Sequence, residues 1–309
     1  MTMNGRGIFA ASSILFLLSV IPTIPQSLEV NSDRFLQATR ITTFPVRIHD
    51  DLVYIPTQIA GRNLWFVLDS GSSRILVDQS LAVALGLKLE GGGSIQGAGA
   101  GRLPIRAVRN VDIRVPGIDS TYSEISTIDL KGASHEVARS VDGILGYDFL
   151  LRFVVTVDYE HSTVTVQAPE TFVPPSEAQA VPITFQGKWP IAKAELLLSN
   201  DVALQDHFLV DSGSSDAVDH PAVKSMESKR QTTTGVGLGT AGSGYQGVLW
   251  GFRWGGLTWR DVPTTCCGAT EETSRLIGGE ILRQFTLTFD YPHSRILLRA
   301  NGNFNSHFN

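Results

Sequence analysis

The stretch Phe66-Val67-Leu68-Asp69-Ser70-Gly71-Ser72-Ser73 returns as Phe208-Leu209-Val210-Asp211-Ser212-Gly213-Ser214-Ser215. In both copies an apolar, strand-like run delivers a carboxylate into a turn of small residues. A second pair of matching stretches follows each motif. Phe153 to Ser162, with Thr156, Asp158, Tyr159 and His161, matches Phe285 to Ser294, with Thr288, Asp290, Tyr291 and His293. Ile144-Leu145-Gly146 likewise matches Leu276-Ile277-Gly278. The Asp motifs are offset by 142 residues (211 − 69) and the closing strands by 132 (290 − 158). The chain thus reads as two copies of one domain, the second about ten residues shorter in its loops.

The 309 residues suffice for two cores, and 42% hydrophobic with 18% charged residues is a globular composition. Thirty glycines, together with frequent Val, Ile, Thr and Phe, favour strands and tight turns over helices. Within that pattern, Leu81 to Leu87 is the best helix candidate, with Asp78 or Ser80 as N-cap and Gly86 near its C-terminus. The net charge of −5 comes without a basic block, which argues against nucleic acid as a partner. Cys266 and Cys267 are adjacent, an arrangement poorly suited to a disulfide and too small for a structural zinc site. Neither G-x-S-x-G nor H-E-x-x-H occurs. Gly237 to Gly242 fits a dinucleotide glycine pattern, but no βαβ context surrounds it.

Residues 1–27 are a signal peptide or N-terminal membrane anchor, because Arg6 precedes the uncharged run Ile8–Ile21 and prolines follow it. Residues 28–40 form a spacer, 41–167 the N-terminal lobe and 168–180 a Pro-, Ala- and Glu-rich linker. Residues 181–300 form the C-terminal lobe and 301–309 a polar tail. The expected location is secreted, periplasmic or membrane-anchored, facing away from the cytoplasm.

With both D-S-G-S-S motifs and both hydrophobic-hydrophobic-Gly elements in view, the chain resembles the aspartic proteases of the retropepsin-like branch. The resemblance covers roughly residues 42 to 299. It implies an all-β fold of two homologous retropepsin-like acid-protease β-barrel lobes, each with a short helix, related by pseudo-twofold symmetry. It also implies an aspartic endopeptidase with Asp69 and Asp211 as catalytic residues, one per lobe. Gly71 and Gly213 permit close approach of the two turns. Ser72 and Ser214 are expected to bond the outer carboxylate oxygens, while Ser70 and Ser212 tie the two loops together. Two adjacent carboxylates share one proton and so supply acid and base at once, a behaviour already described for this family.

Peptide hydrolysis on this plan needs no cofactor and no metal. The expected partner is a peptide or protein substrate, and the 13-residue linker (180 − 168 + 1) favours a monomer with an internal pseudo-dimer. The glycine-rich interval containing Gly97, Gly99 and Gly101, and the later one containing Tyr245, occupy the place of substrate-covering flaps; plain surface turns are the alternative. The lobes differ after the motif, where the first continues with Arg74 and the second with Asp216, and Asp216 is expected to add negative charge near the pair. A non-catalytic peptide-binding module on the same fold is the alternative function.

Overall fold

Alternating apolar residues turn most of this chain into strands, and the strands close on themselves twice. The computed structural model describes residues 32–96, 102–130, 141–199, 202–234, 242–267 and 275–308. The first half begins with β1 (Ser32–Phe35), β2 (Ile41–Pro45), β3 (Arg47–His49), β4 (Leu52–Ile59) and β5 (Arg62–Leu68). It continues with β6 (Leu76–Asp78), helix α1 (Gln79–Ala84), β7 (Glu90–Gln96), β8 (Arg102–Val115) and β9 (Ile118–Ile128). It ends with β10 (Gly143–Leu145), helix α2 (Tyr147–Leu150), β11 (Val154–Asp158) and β12 (Thr163–Gln167). The second half opens with β13 (Gln179–Gln186), β14 (Trp189–Leu197), β15 (Ala203–Val210) and β16 (Val218–Asp219). Then come β17 (Arg230–Thr234), β18 (Gly242–Trp254), β19 (Leu257–Cys266) and β20 (Leu276–Ile277). Helix α3 (Gly279–Leu282), β21 (Phe285–Asp290) and β22 (Arg295–Ala300) complete it.

In the first half β4, β5, β10, β6, β9 and β8 pair in that order, and β8 returns to β4 to close the ring. In the second half β14, β15, β20, β16, β19 and β18 do the same, with β18 returning to β14. The two barrels share one strand order, so the all-β, two-barrel architecture matches the expectation. Closure removes the free edges that an open sheet would expose.

A third unit joins the barrels. Strands β2, β12, β11, β21, β22 and β13 run side by side, contributed by both halves. At its centre β11 lies antiparallel to β21, with Thr156 opposite Thr288 and their hydroxyl oxygens 2.8 Å apart. Thr156 and Thr288 are the matching residues of the 132-residue repeat, so the pseudo-twofold axis passes between them. Val155, Val157, Leu287 and Phe289 beside them are fully buried.

Local chemistry sets the ends of the short helices. The Asp78 side chain caps α1 by accepting from the Leu81 amide at 2.9 Å, and Gly86 follows with φ +73°. In the second half a 3-10 turn at Pro221–Ser225 stands in its place, capped by the His220 ring. Among the described residues, no helix is long and apolar enough to cross a membrane.

Three expectations change. The stretch read as a spacer contains β1, which pairs with β9; Asp33 binds Arg152 at 3.0 Å and Phe35 stacks edge-on with Phe153. The tail read as polar docks through Phe304, which packs on Trp259 and Phe285. Cys266 and Cys267 turn their sulfurs toward each other. Cys267 takes φ +92°, which interrupts the strand alternation that would send the two sulfurs to opposite faces.

Because the shared sheet carries the joint between the barrels, Phe289→Ala should cost about 3–5 kcal/mol. Urea unfolding of the variant measures this, and a loss below about 1 kcal/mol would show that the joint is not part of the cooperative core.

Candidate active site

Each motif carboxylate leaves the end of a buried strand. Strand β10 runs parallel to β5, and the Asp69 amide donates to the Leu145 carbonyl at 3.0 Å. The second half repeats this with β20 beside β15, where the Asp211 amide donates to the Ile277 carbonyl at 2.9 Å. Behind each loop sits a glycine. A Cβ on Gly146 would lie 2.5 Å from the carbonyl oxygens of Ser72 and Arg74, and one on Gly278 would overlap the Asp216 carbonyl. No side chain fits there. The next amides then hold the loops, Tyr147 to the Ser72 carbonyl at 2.9 Å and Gly279 to the Ser214 carbonyl at 2.7 Å.

The two loops meet through their buried serines. The Ser70 amide donates to Ser212 Oγ at 3.0 Å, and the Ser212 amide donates to Ser70 Oγ at 2.9 Å. Each hydroxyl then donates across the joint, Ser70 Oγ to the Val210 carbonyl at 2.7 Å and Ser212 Oγ to the Leu68 carbonyl at 2.9 Å. Four hydrogen bonds thus link strand ends from opposite halves, and every donor and acceptor in the set is satisfied.

This interlock sets Asp69 and Asp211 face to face, each carboxyl against the motif glycine of the opposite half. A Cβ on Gly71 would lie 2.6 Å from the Asp211 carboxyl carbon, and one on Gly213 would lie 2.6 Å from Asp69 Oδ1. Glycine is therefore a steric requirement at both positions. Backbone amides hold the carboxylates in place, Ser72 to Asp69 Oδ1 and Gly213 to Asp211 Oδ1, both at 2.9 Å. Burial raises both carboxyls above the ordinary range. For Asp69 the neighbouring Asp211 pushes further upward, against the Ser72 and Gly71 amides. For Asp211 the Gly213 amide, Asp69 and the Gly71 amide pull back, without undoing the rise.

Two of the expected hydroxyl contacts differ. Ser72 Oγ donates to the Arg74 carbonyl at 2.9 Å, and Ser214 Oγ accepts from the Asp216 amide at 3.2 Å. Both hydroxyls close their own turns, and the backbone amides serve the carboxylates instead. Gly97, Gly99 and Gly101 lie outside the described residues, although flanking strands β7 and β8 pair as a hairpin. Tyr245 sits in the β17–β18 hairpin between Gln231 and Cys266, on the face opposite that of Gln246. Asp216 is raised by burial and then by the Asp211 charge.

One residue at the site went unread. The buried Tyr291 hydroxyl donates to the Ser70 carbonyl at 3.3 Å and so touches the back of the serine interlock. The repeated Asp-Tyr pairs, Asp158-Tyr159 and Asp290-Tyr291, were its signal. Among the described residues no cluster of His, Cys, Asp or Glu is arranged to hold a metal ion.

Residues 55–149 match the family model described as aspartyl protease. This stretch, which contains Asp69 and Gly146, is aspartic protease sequence of the retropepsin-like type. Among curated proteins none matches the chain.

Ser70→Ala and Ser212→Ala should each cost about 1–3 kcal/mol, because each leaves a buried amide and a buried carbonyl without partners. In a double-mutant cycle read by urea unfolding, the two losses should depart from additivity by at least about 0.5 kcal/mol. Additive losses would show that the serines do not act as one interlock.

Proposed function

We propose that this protein is an aspartic endopeptidase that hydrolyses peptide bonds with a water activated between Asp69 and Asp211. The observation that carries the reading is the close approach of two carboxyls delivered by separate barrels, each so near the other half's motif glycine that a Cβ on Gly71 would lie 2.6 Å from the Asp211 carboxyl carbon and one on Gly213 2.4 Å from that of Asp69. The family match lies in the first half alone, and the repeat brings the same motif to the second.

In this reading the ionised carboxylate takes a proton from the water as its oxygen attacks the peptide carbonyl carbon. The protonated partner gives its proton to the carbonyl oxygen. Collapse of the tetrahedral intermediate then breaks the carbon–nitrogen bond, and the departing nitrogen receives a proton from the pair. No metal or cofactor enters the scheme. The substrate is a peptide or protein, the net charge of −5 disfavours nucleic acid, and one chain supplies both carboxyls as a monomer. We place the catalytic part outside the cytoplasm, secreted, periplasmic or held at a membrane by the N-terminal apolar run.

Cleavage of a peptide library by wild type, Asp69→Asn and Asp211→Asn tests the reading. Each Asn variant should lose at least about 10²–10⁴-fold in kcat. Full activity in either variant, or a wild type that binds peptides without cutting them, would overturn it.

The pH profile follows from the signs of the shifts. Activity needs one proton on the pair, and burial has moved both carboxyls upward. Activity should therefore fall as pH rises through an apparent pKa above the free carboxylate value of about 3.9. An alkaline limb at or below that value would contradict a buried, coupled pair.

A further inference from the structure

The same ladder position carries a different chemistry in each barrel. In the first half a row crosses the sheet through Val67, Ile144, Leu76, Ser126 and Ala107, each paired with the next. In the second half the matching row is Leu209, Leu276, Asp219, Thr265 and Gln246. Asp219 stands where the first half has Leu76.

Both rows lie on the face turned away from the barrel interior. Leu68, Val77 and Leu145 belong to the main core, whereas Val67, Leu76 and Ile144 form a separate apolar cluster. Val210, Val218 and Ile277 are the main-core counterparts in the second half. The rows run beside the carboxylate loops, since Val67 and Leu209 each precede the motif Asp by two residues.

The hairpin of each half matches its own row. Ile95, Leu103 and Ile105 of the β7–β8 hairpin pack on the apolar cluster of the first half. The corresponding segments of the second, Arg230–Thr234 and Gly242–Gln246, contain no Val, Leu or Ile.

The polar row is also unfinished. Asp219 Oδ1 and Thr265 Oγ1 are shut off from solvent, face each other in the ladder, and neither has a hydrogen-bond partner among the described residues. Two such orphans side by side are costly unless something completes them. The charges around Asp219 are mainly of its own sign. Burial, and then Asp216 and Asp211, raise its carboxyl to about 7. The cation in its row, the exposed Arg230, pairs with Gln246 two strands beyond Asp219's own neighbour β19, roughly 14 Å of backbone from Asp219.

We propose that Asp219 and Thr265, with Asp216 beside them, form a specificity subsite for a lysine or arginine side chain of the substrate. Its mirror position at Leu76 takes an apolar one. This rests on the peptidase reading and adds direction to it, because a cleft with one cationic and one apolar subsite accepts a peptide one way round. A cation against this cluster offsets the repulsion among Asp211, Asp216 and Asp219. An apolar side chain would offset none of it, and discrimination against it is correspondingly strong.

The test uses internally quenched peptides of one sequence, carrying Lys, Arg or Leu at each position in turn, with wild type, Asp219→Leu and Asp219→Asn. Leucine is the residue at the matching position of the first half, and asparagine keeps the shape while removing the charge, so at least one variant remains folded. At one position on one side of the cut, wild type should favour Lys or Arg over Leu by at least 10-fold in kcat/KM. Both variants should lose that preference while still cutting the Leu peptides. Cleavage with no basic preference, or with a preference that survives both substitutions, overturns the subsite and leaves the peptidase reading standing. If wild type cuts nothing, binding of the same peptides is measured. A basic preference lost in Asp219→Leu then supports the subsite and overturns the peptidase reading, and no binding overturns both.

Discussion

Everything distinctive in this molecule hangs on the exchange of hydrogen bonds between Ser70 and Ser212. Four bonds cross a pseudo-twofold axis between strand ends that belong to different barrels. The exchange satisfies the backbone groups of two loops that enter a buried joint, where an unpaired amide or carbonyl costs about 1–3 kcal/mol. It also fixes how closely the loops approach. Because they approach closely, the residue after each serine has to be glycine, and the preceding Asp of each half lies against that glycine of the other.

Electrostatics follow from that approach. Two carboxyls held together out of water cannot both ionise cheaply, so burial and proximity make them retain a proton. The amides of Ser72 and Gly213 keep one oxygen of each in place without neutralising it. The serine bonds alone do not hold the halves together. The antiparallel β11–β21 pairing, centred on Thr156 and Thr288, carries the same axis through a sheet with fully buried side chains. The axis is thus specified twice, once at the site and once at a distance from it.

Much of this was legible in the residues. A strand-like run that ends in Asp-Ser-Gly-Ser, written twice and in register with a closing Gly element, specifies both the strand ends and the bracing behind them. Other features were out of reach for particular reasons. The Ser72 and Ser214 hydroxyls face a choice between a carboxylate and their own turn, and short polar side chains in turns commonly bond locally. The β1 strand has only four residues with one strong apolar anchor, Phe35, so its composition reads as a linker until Arg152 and Phe153 are seen beside it. Tyr291 was visible as a repeat but not as a contact, because its partner is a backbone carbonyl 221 residues away in sequence. Asp219 shows its meaning only when ladder register aligns it with Leu76, since its half carries an offset of 143 there (219 − 76) in place of the 142 of the motif.

The central claim is that Asp69 and Asp211 titrate as one buried pair. Carbon-13 NMR of labelled Asp carboxyls across pH, in wild type and in Asp211→Asn, tests it most directly. The account predicts an Asp69 carboxyl well above the usual carboxylate range in wild type, falling when Asp211 is made neutral while burial keeps it from returning fully. An Asp69 titration that is ordinary in wild type, or the same in both proteins, would contradict it.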